Sequence, residues 1–360
     1  MKAKNNLQDQ SLPPTKQDKK MRVLVTGGAG YIGSHTAVEL LDKGYEVTII
    51  DNLSNARAEV IDAIYKITGK HPGFAEIDLC NKNELNQYLK LNKPDAIIHF
   101  AAFKSVGESV EQPLKYYHNN LLSLINLLEI TEEKKLDNFV FSSSCSVYGQ
   151  AEVMPVHEQM EFQKAESPYG HTKQIGEKIV EDVVRVADLN AVILRYFNPA
   201  GAHESALIGE YPLDAPNNLV PVITQTAIGK RNSMTVFGND YSTPDGTCIR
   251  DYIHVVDIAK AHVTALERLM NKKNKNKIEV FNLGTGRGNS VLETIHAFEK
   301  VSGIKLNYII GNRRAGDVEQ IWADTTLANT RLGWKAERSL EDIMRSAWAW
   351  ELALSEKIIS

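Results

Sequence analysis

The stretch Met21-Arg22-Val23-Leu24-Val25-Thr26-Gly27-Gly28-Ala29-Gly30-Tyr31-Ile32-Gly33 decides the fold of this chain. Its apolar beginning is long enough for one buried parallel strand, and a glycine-rich turn follows without a gap. A helical pattern then continues to Gly44, and residues 46–50 form a second apolar run that ends at Asp51. The order strand, glycine turn, helix, strand, acid is typical of a dinucleotide-binding domain.

Each part of this stretch has a mechanical role. Gly27 and its neighbour permit the tight turn, Gly30 lets the backbone approach a pyrophosphate, and Gly33 lets the helix pack against the strand. The helix N-terminus offers free N–H groups and a partial positive charge to the diphosphate. Asp51 lies where a carboxylate accepts hydrogen bonds from a ribose and repels a 2′-phosphate, which favours NAD. The nearby Arg57 leaves NADP open.

The composition is ordinary for a globular protein. The 360 residues are 43% hydrophobic and 24% charged, which is enough for a large core and two lobes. A formal net charge of −4 argues against a general role on nucleic acid or at a membrane surface. Cys80, Cys145 and Cys248 are widely spaced and include no Cys-x-x-Cys pair. We therefore expect reduced thiols in the cytoplasm, no disulfide framework and no metal site.

The first 20 residues are polar and rich in Lys, Gln and Asn, with no apolar core that could act as a signal peptide. We predict a disordered extension over residues 1–20 and expect the domain proper to begin at Met21. No later segment offers 18 uninterrupted apolar residues, so the sequence predicts no bilayer-spanning helix.

Acids and small residues recur where the next strands end. Residues 74–77 and 96–100 are strand-like, and in an open parallel sheet the ligand lies beyond the carboxyl ends of the strands. The residues expected to line the adenine and ribose are Asp78, Leu79, Phe100, Ala101 and Ala102. Asp78 is equally well explained as a helix N-cap. Asn119, early in the long helix that follows Pro113, could reach the cofactor, and His99 fits a satisfied core histidine better than a metal ligand.

A hydroxyl and a Tyr–Lys pair carry the predicted chemistry. The buried strand around Val140 ends in three serines, and Ser144 is placed beside the nicotinamide end of a dinucleotide whose diphosphate rests on the first turn. Tyr169 and Lys173 are four residues apart, so on a helix they share one face. A phenol is a poor base at neutral pH, but nearby positive charge favours its phenolate. Such pairs are common on surface helices, and the strand-end serine makes a catalytic role the leading interpretation.

These features resemble the extended short-chain dehydrogenase/reductase superfamily. Within it, several strings resemble the UDP-glucose 4-epimerase family, over a match that runs from about Met21 to beyond Trp334. The strings are Gly107-Glu108-Ser109-Val110, Arg195-Tyr196-Phe197-Asn198-Pro199, Asn217-Asn218-Leu219, Arg250-Asp251-Tyr252-Ile253-His254-Val255 and Arg313-Arg314-Ala315-Gly316-Asp317.

The resemblance implies interconversion of UDP-galactose and UDP-glucose, in galactose (Leloir) metabolism, with a tightly held NAD. Tyr169 would take the proton of the 4-hydroxyl while NAD accepts the hydride, and Ser144 would hold the same oxygen. Lys173 would bind the nicotinamide ribose and steady the phenolate. The 4-keto sugar would turn over before the hydride returns, which requires a clamped UDP and a loosely held hexose.

The predicted sites follow from these roles. The catalytic residues are Tyr169, Lys173 and Ser144, and no metal ligand is expected. The predicted cofactor-binding residues are Gly27, Gly30, Tyr31, Ile32, Gly33, Asp51, Asn52, Leu53, Ser54, Asn55, Ala56, Asp78, Leu79, Phe100, Ala101, Ala102, Lys104, Asn119, Ser144, Tyr169, Lys173 and Phe197. The predicted substrate-binding residues are Ser144, Tyr169, Asn198, Asn218, Leu219, Arg250, Arg314 and Asp317; guanidinium forks suit a diphosphate.

The predicted fold is α/β, a Rossmann-type doubly wound parallel sheet with a smaller, mixed α/β substrate-binding lobe. Residues 21–197 would form the NAD-binding domain, and residues 198–360 mainly the substrate-binding lobe, with some segments returning to the first domain. The back half is loop-rich, which suits substrate capture. The expected partners are UDP-glucose and UDP-galactose in a cytoplasmic homodimer, with no nucleic acid and no membrane.

Three alternatives remain at this point. A sugar-nucleotide 4,6-dehydratase would place an acidic pair just after the strand-end hydroxyl, where this chain has Cys145 and Ser146. A uronic-acid epimerase would want a cation or several donors beside the hexose. A regulatory module without catalysis is opposed by the presence of all three catalytic residues. Ile321 falls where the family varies in bulk, and its β-branched side chain favours a tighter pocket that prefers sugars without an N-acetyl group.

Overall fold

A seven-stranded parallel sheet forms the centre of the protein. The structure is a computed structural model that describes residues 20–213, 216–314 and 317–359. The strands are β1 (Arg22–Thr26), β2 (Glu46–Asp51), β3 (Gly73–Glu76), β4 (Ala96–His99), β5 (Asn138–Ser144), β6 (Asn190–Tyr196), β7 (Asn198–Ala200), β8 (Met234–Phe237), β9 (Ile249–Arg250), β10 (Tyr252–His254), β11 (Ile278–Leu283), β12 (Asn289–Ser290), β13 (Tyr308–Gly311) and β14 (Gln320–Ile321). The large sheet has the order β11-β6-β5-β4-β1-β2-β3.

Helices cover both faces of this sheet, as parallel crossover connections require. They are α1 (Tyr31–Asp42), α2 (Glu59–Thr68), α3 (Lys82–Leu91), α4 (Val106–Glu111), α5 (Pro113–Glu133), α6 (Pro168–Val186), α7 (Leu219–Ala227), α8 (Val255–Met270), α9 (Val291–Ser302) and α10 (Leu340–Ile359). The strand order reverses between β1 and β4, so the carboxyl ends of these neighbouring strands open a crevice for a ligand.

The two faces of the sheet build two separate hydrophobic cores. Because side chains alternate along a strand, Val23 and Val25 of β1 join one core, while Leu24 between them joins the other. The first core packs under α1, α2 and α8, and includes Leu40. The second packs under α3, α5 and α6, and includes Leu124. The result is a three-layer sandwich whose middle layer ends at the ligand crevice.

The back half of the chain builds three small sheets and also contributes to the large one. The small sheets have the orders β10-β7, β12-β9-β14 and β13-β8, and a third core packs β7, β8, β10 and β13 against α7, α9 and α10. Strand β11 pairs with β6 in the large sheet, and α8 packs on α1 and β5. The predicted fold class is confirmed, while the predicted domain boundary at residue 197 stays a prediction.

Two sequence predictions concern the chain ends and membranes. The predicted disordered extension, except for Lys20, lies outside the described residues. Within the parts of the chain that the structure describes, none of the helices is both long enough and apolar enough to cross a bilayer.

The turn after β1 depends on a side chain being absent at Gly33. A Cβ there would lie 2.3 Å from the carbonyl oxygen of Gly27, whereas a Cβ on Gly107 in α4 would meet nothing within 4 Å. We expect Gly33→Ala to lower the free energy of unfolding by about 1–3 kcal/mol through overpacking. Gly107→Ala is the control and should leave stability unchanged or slightly raised. Equal midpoints for both variants in guanidinium unfolding would contradict this account of the turn.

Candidate active site

A deep cleft lies along the carboxyl edge of the large sheet, above the glycine turn. Its lining includes most of the predicted cofactor-binding residues: Gly27, Gly30, Tyr31, Ile32, Gly33, Asp51, Asn52, Ser54, Asn55, Ala56, Asp78, Leu79, Phe100, Ala101, Ala102, Lys104, Asn119, Tyr169 and Lys173. They come from loops after several different strands, and parallel pairing brings those loops to one edge.

The geometry of the turn fits a dinucleotide diphosphate. Gly30 is the N-cap of α1 and provides no side-chain cap, so the first turn of the helix presents backbone N–H groups to the cleft. Gly27 has a left-handed φ of 69°, and a Cβ there would lie 2.6 Å from the backbone nitrogen of Ala101. Only glycine keeps both the turn and this close approach.

Asp51 is fixed in place at the end of β2. Its carboxylate accepts hydrogen bonds from the backbone N–H groups of Ala29, at 3.1 Å, and Leu53, at 3.0 Å. Burial raises the pKa of Asp51, and these hydrogen bonds oppose that rise. The carboxylate is thereby held at the rim where a ribose hydroxyl would donate to it.

Three predicted cofactor residues lie outside the lining of the cleft. Leu53 has a left-handed φ of 55°, and its backbone N–H donates a hydrogen bond to the Asp51 carboxylate. Phe197 is 2% exposed and packs in a cluster with Ile321. Ser144 lies next to the cleft through its contact with Tyr169.

Sequence reasoning missed a segment of the back half that crosses the cleft. Gly209–Pro212 contributes to the lining, and the Glu210 carboxylate accepts from the Lys104 ammonium at 2.9 Å. The Arg57 guanidinium lies 4.2 Å from the centre of the Tyr211 ring. The segment is thus tied to the first lobe at two points. Nothing local in the sequence marks it, and Arg57 had suggested only a doubt about NADP.

Helix α6 carries the Tyr–Lys pair onto the end of β5. Ser167 caps the helix by accepting from the Gly170 N–H, and Pro168 occupies the first turn. The side chains of Ser144 and Tyr169 are neighbours, and the Ser144 hydroxyl favours the ionised form of the phenol. The Lys173 ammonium donates to the Ser142 carbonyl oxygen at 2.8 Å. The three predicted catalytic residues therefore meet at the end of one strand.

The electrostatics of this group are dominated by burial. Burial raises the pKa of Tyr169 well above its usual value, and the neighbouring Ser144 hydroxyl opposes the rise. Burial also lowers the pKa of Lys173 to about 8, against a smaller opposing effect of Glu177. The sequence argument considered only nearby positive charge; it left out the desolvation of a phenol that is 7% exposed.

The predicted substrate residues form a second group in the back half. Arg250 and Arg314 both approach Asp317, with nitrogen–oxygen distances of 4.0 and 2.7 Å. Ala315 and Gly316 between them lie outside the described residues. Asn218 donates to Glu210 at 2.7 Å. The remaining two, Asn198 and Leu219, begin β7 and α7.

A buried carboxylate fixes the strand that carries Arg250. Asp251 is fully buried and accepts hydrogen bonds from the backbone N–H groups of Thr285, Gly286 and Ala323. These bonds tie β9 and β10 to two other loops. In the sequence, Arg250 is therefore followed directly by the buried carboxylate that fixes its strand.

An apolar cluster that includes Ile321 lies next to the catalytic group. It contains Val147, Tyr148, Val156, Phe197, Ile321 and Ala323, with Cys145 packed against it. Ile321 lies in register with Arg250 across the pair β14–β9. The cluster therefore connects the residue after Ser144 to the strand of the cationic group.

Cys80, Cys145 and Cys248 are all free thiols. In residues 20–213, 216–314 and 317–359, no group of three or more His, Cys, Asp or Glu side chains is arranged to hold a metal ion.

The glycine turn, the acid after β2 and the Ser–Tyr–Lys group define an enzyme of the extended short-chain dehydrogenase/reductase class. Residues 24–347 match the family model described as GDP-mannose 4,6 dehydratase. The chain is 49% identical to a UDP-glucose 4-epimerase of Bacillus subtilis over 333 residues, covering 92% of this chain and 97% of that protein.

The similarity to solved structures points to the same family. A UDP-glucose 4-epimerase from Stenotrophomonas maltophila, described with bound NAD and formylated UDP-arabinopyranose, superposes with a TM-score of 0.90 at 46% identity, covering 94% of this chain and 99% of that one. One from Bifidobacterium longum, in complex with NAD+ and UDP, has a TM-score of 0.89 at 43% identity, with coverages of 92% and 98%. The chain belongs to the UDP-glucose 4-epimerase family, and the resemblance seen in the sequence is confirmed.

Proposed function

We propose that the protein interconverts UDP-galactose and UDP-glucose by inverting C4 of the hexose while NAD stays bound. One observation carries the proposal: Tyr169 lines the dinucleotide cleft and lies beside Ser144, whose neighbour Cys145 is close enough to Arg250 to feel its charge. A phenol in that position can serve both a cofactor and a sugar. The activity is that of galactose metabolism by the Leloir route.

The cofactor is held by residues whose geometry is already in place. The N-terminus of α1 receives the diphosphate, Asp51 accepts from the adenosine ribose, and Lys173 donates to the nicotinamide ribose. When bound, NAD supplies the site that accepts a hydride from C4 and returns it. The segment Gly209–Pro212 crosses the cleft, so it opposes loss of the dinucleotide between turnovers.

Ser144 and Tyr169 are the residues that we assign to proton transfer at the sugar 4-hydroxyl. Tyr169 takes the proton of the 4-hydroxyl, and Ser144 keeps the same oxygen in line. Burial raises the pKa of this phenol, and the Ser144 hydroxyl opposes the rise. We assign Lys173 the role of stabilising the ionised phenol by its positive charge. The phenol then returns the proton once C4 has been reduced from the other face.

The UDP group is assigned to Arg250, Arg314 and Asp317. Their mutual ion pairs orient both guanidinium groups before substrate arrives. We assign Asp317 to the uridine ribose, and Asn198, Asn218 and Leu219 to the diphosphate, uridine or sugar. Anchoring the nucleotide alone leaves the hexose free to turn, which inversion at C4 requires.

The neighbouring activities are less well supported. A dehydratase needs an acidic pair after the strand-end hydroxyl, and Cys145 and Ser146 occupy those positions, although the family model takes its description from such an enzyme. A uronic acid would bring a carboxylate beside the apolar cluster around Ile321, where desolvation disfavours it. An uncharged hexose is better suited to lie beside this apolar cluster.

The location and assembly of the protein follow from the family resemblance. We propose a cytoplasmic homodimer. The apolar side chains of Val110, near the end of α4, and of Leu114 and Ile125, on α5, are exposed, which supports this assembly. The division into a cofactor domain over residues 21–197 and a substrate lobe beyond is likewise proposed.

A redox-neutral cycle predicts that no nucleotide needs to be added. Purified protein should convert UDP-galactose to UDP-glucose, followed by NMR of the anomeric protons, and denaturing the same sample should release NAD. An absolute dependence on added NAD, with NADH accumulating, would instead show a dehydrogenase.

The proton-transfer role of Tyr169 can be tested by removing one oxygen. Tyr169→Phe should lower kcat by about 10²-fold or more, because general acid–base catalysis contributes on that scale. The control Tyr65→Phe removes the hydroxyl of a partly exposed tyrosine that stacks on His71, and should leave kcat unchanged. Near-normal turnover of Tyr169→Phe would remove this residue from its assigned role.

The bulk of Ile321 predicts a preference between sugars. The kcat/KM for UDP-glucose should exceed that for UDP-N-acetylglucosamine by about tenfold or more, which is the scale of steric discrimination in a hydrophobic pocket. Ile321→Ala should narrow this ratio, and Ile309→Ala, on an exposed strand, should not. Comparable values for the two sugars in the unaltered protein would refute the tight pocket.

A further inference from the structure

Glu177 is a buried carboxylate that the proposed chemistry does not use. It lies one helical turn beyond Lys173 and two turns beyond Tyr169, on the same face of α6, and is 1% exposed. Its oxygens accept from Arg195 Nε at 3.0 Å, from Arg195 Nη2 at 2.7 Å and from Ser143 Oγ at 2.5 Å. The carboxylate is therefore fully bonded and fixed in orientation.

Arg195 is turned away from both ligand sites. Its remaining donor, Nη1, reaches the Tyr148 hydroxyl at 3.0 Å and the Glu158 carbonyl oxygen at 3.1 Å. Its guanidinium also lies 4.8 Å from the centre of the Phe162 ring. The arginine of the Arg-Tyr-Phe-Asn-Pro string thus binds no phosphate, and its structural role is to hold Glu177.

A contribution to folding stability does not by itself explain the buried pair of Glu177 and Arg195. Burying an ion pair costs desolvation free energy that the mutual attraction only roughly offsets. The protein contains a second buried pair, Arg268–Glu279, which joins α8 to β11. What distinguishes Glu177 from Glu279 is that it also acts on another buried cation, Lys173.

We propose that Glu177, held by Arg195 and Ser143, is the positioning residue that keeps Lys173 cationic and in place beside the reacting phenol. The inference rests on the proposed function, because it concerns the proton transfer at Tyr169. A cation removed from water loses its proton more easily, and a carboxylate one turn away counteracts that loss. Glu177 touches neither substrate nor cofactor and acts through Lys173.

The other groups around Lys173 do not replace this carboxylate. Burial lowers the pKa of His99 to about 3 and of His262 to about 4, so both are neutral at physiological pH. The pKa of Tyr196 is raised by burial, which keeps it neutral as well. The groups that face Lys173 and its partner Ser142 are His99 of β4, Tyr196 of β6, His262 of α8, and Tyr169 and Glu177 of α6.

The test is the pH dependence of kcat for UDP-galactose in Glu177→Gln. Removing the negative charge lowers the pKa of Lys173 below its value of about 8, so the ammonium is lost at lower pH. The alkaline limb of kcat should therefore move to lower pH by about one unit or more, the scale set by a close opposite charge. KM should stay within about twofold, since Glu177 does not touch the substrate.

Glu279→Gln is the matched control. It removes one carboxylate from a buried Arg–Glu pair of similar burial, far from Lys173, and should lower Tm without moving the pH profile. A pH profile of Glu177→Gln that superposes on that of the unaltered protein, with only Tm lowered, would overturn the inference.

A second variant covers the case in which Glu177→Gln fails to fold. Glu177→Gln/Arg195→Met removes the carboxylate together with its arginine partner, and replacements of a buried ion pair of this kind are often tolerated. Its alkaline limb should shift in the same direction by a smaller amount, and an unshifted limb would overturn the inference. Inactive unaltered protein would instead refute the proposed function, so the two failures are distinguishable.

Discussion

The packing of α6 along β5 is the contact on which the active site depends. Tyr169, Lys173 and Glu177 recur every four residues on one face of the helix. Lys173 and Glu177 hydrogen-bond to Ser142 and Ser143 at the end of the strand, and Tyr169 lies beside Ser144. The register of helix on strand therefore sets the distance between phenol, ammonium and cofactor cleft.

The rest of the structure brings the substrate to that point. Asp251 fixes the strand that bears Arg250, and the apolar cluster of Ile321 connects that strand to the residue after Ser144. The Glu210 segment lines the proposed dinucleotide cleft from the same half of the chain. This arrangement would cover the cofactor and hold the substrate by its UDP group. It suits a reaction in which only the hexose has to move.

Local signals in the sequence predicted the first half well. The glycine turn, the acid at Asp51 and the Tyr169–Lys173 spacing each depend on backbone geometry within a few residues, and all of them line the same cleft. Contacts between distant segments could not be predicted in this way. The packing of helix α8 could not be predicted from its own residues, because they fill one core of the large sheet from the back half of the chain. Glu177 and Arg195, 18 residues apart, show their partnership only once α6 packs against β5 and β6.

The most direct measurement is a crystal structure of the protein with NAD and UDP-glucose. The account predicts the Tyr169 hydroxyl within about 2.6–3.2 Å of the C4 hydroxyl oxygen, the reach of a general base, with Ser144 bonded to the same oxygen. Lys173 should contact the nicotinamide ribose, and Arg250 the diphosphate. A phenol distant from both the sugar and the nicotinamide, with the hexose bound elsewhere, would contradict it.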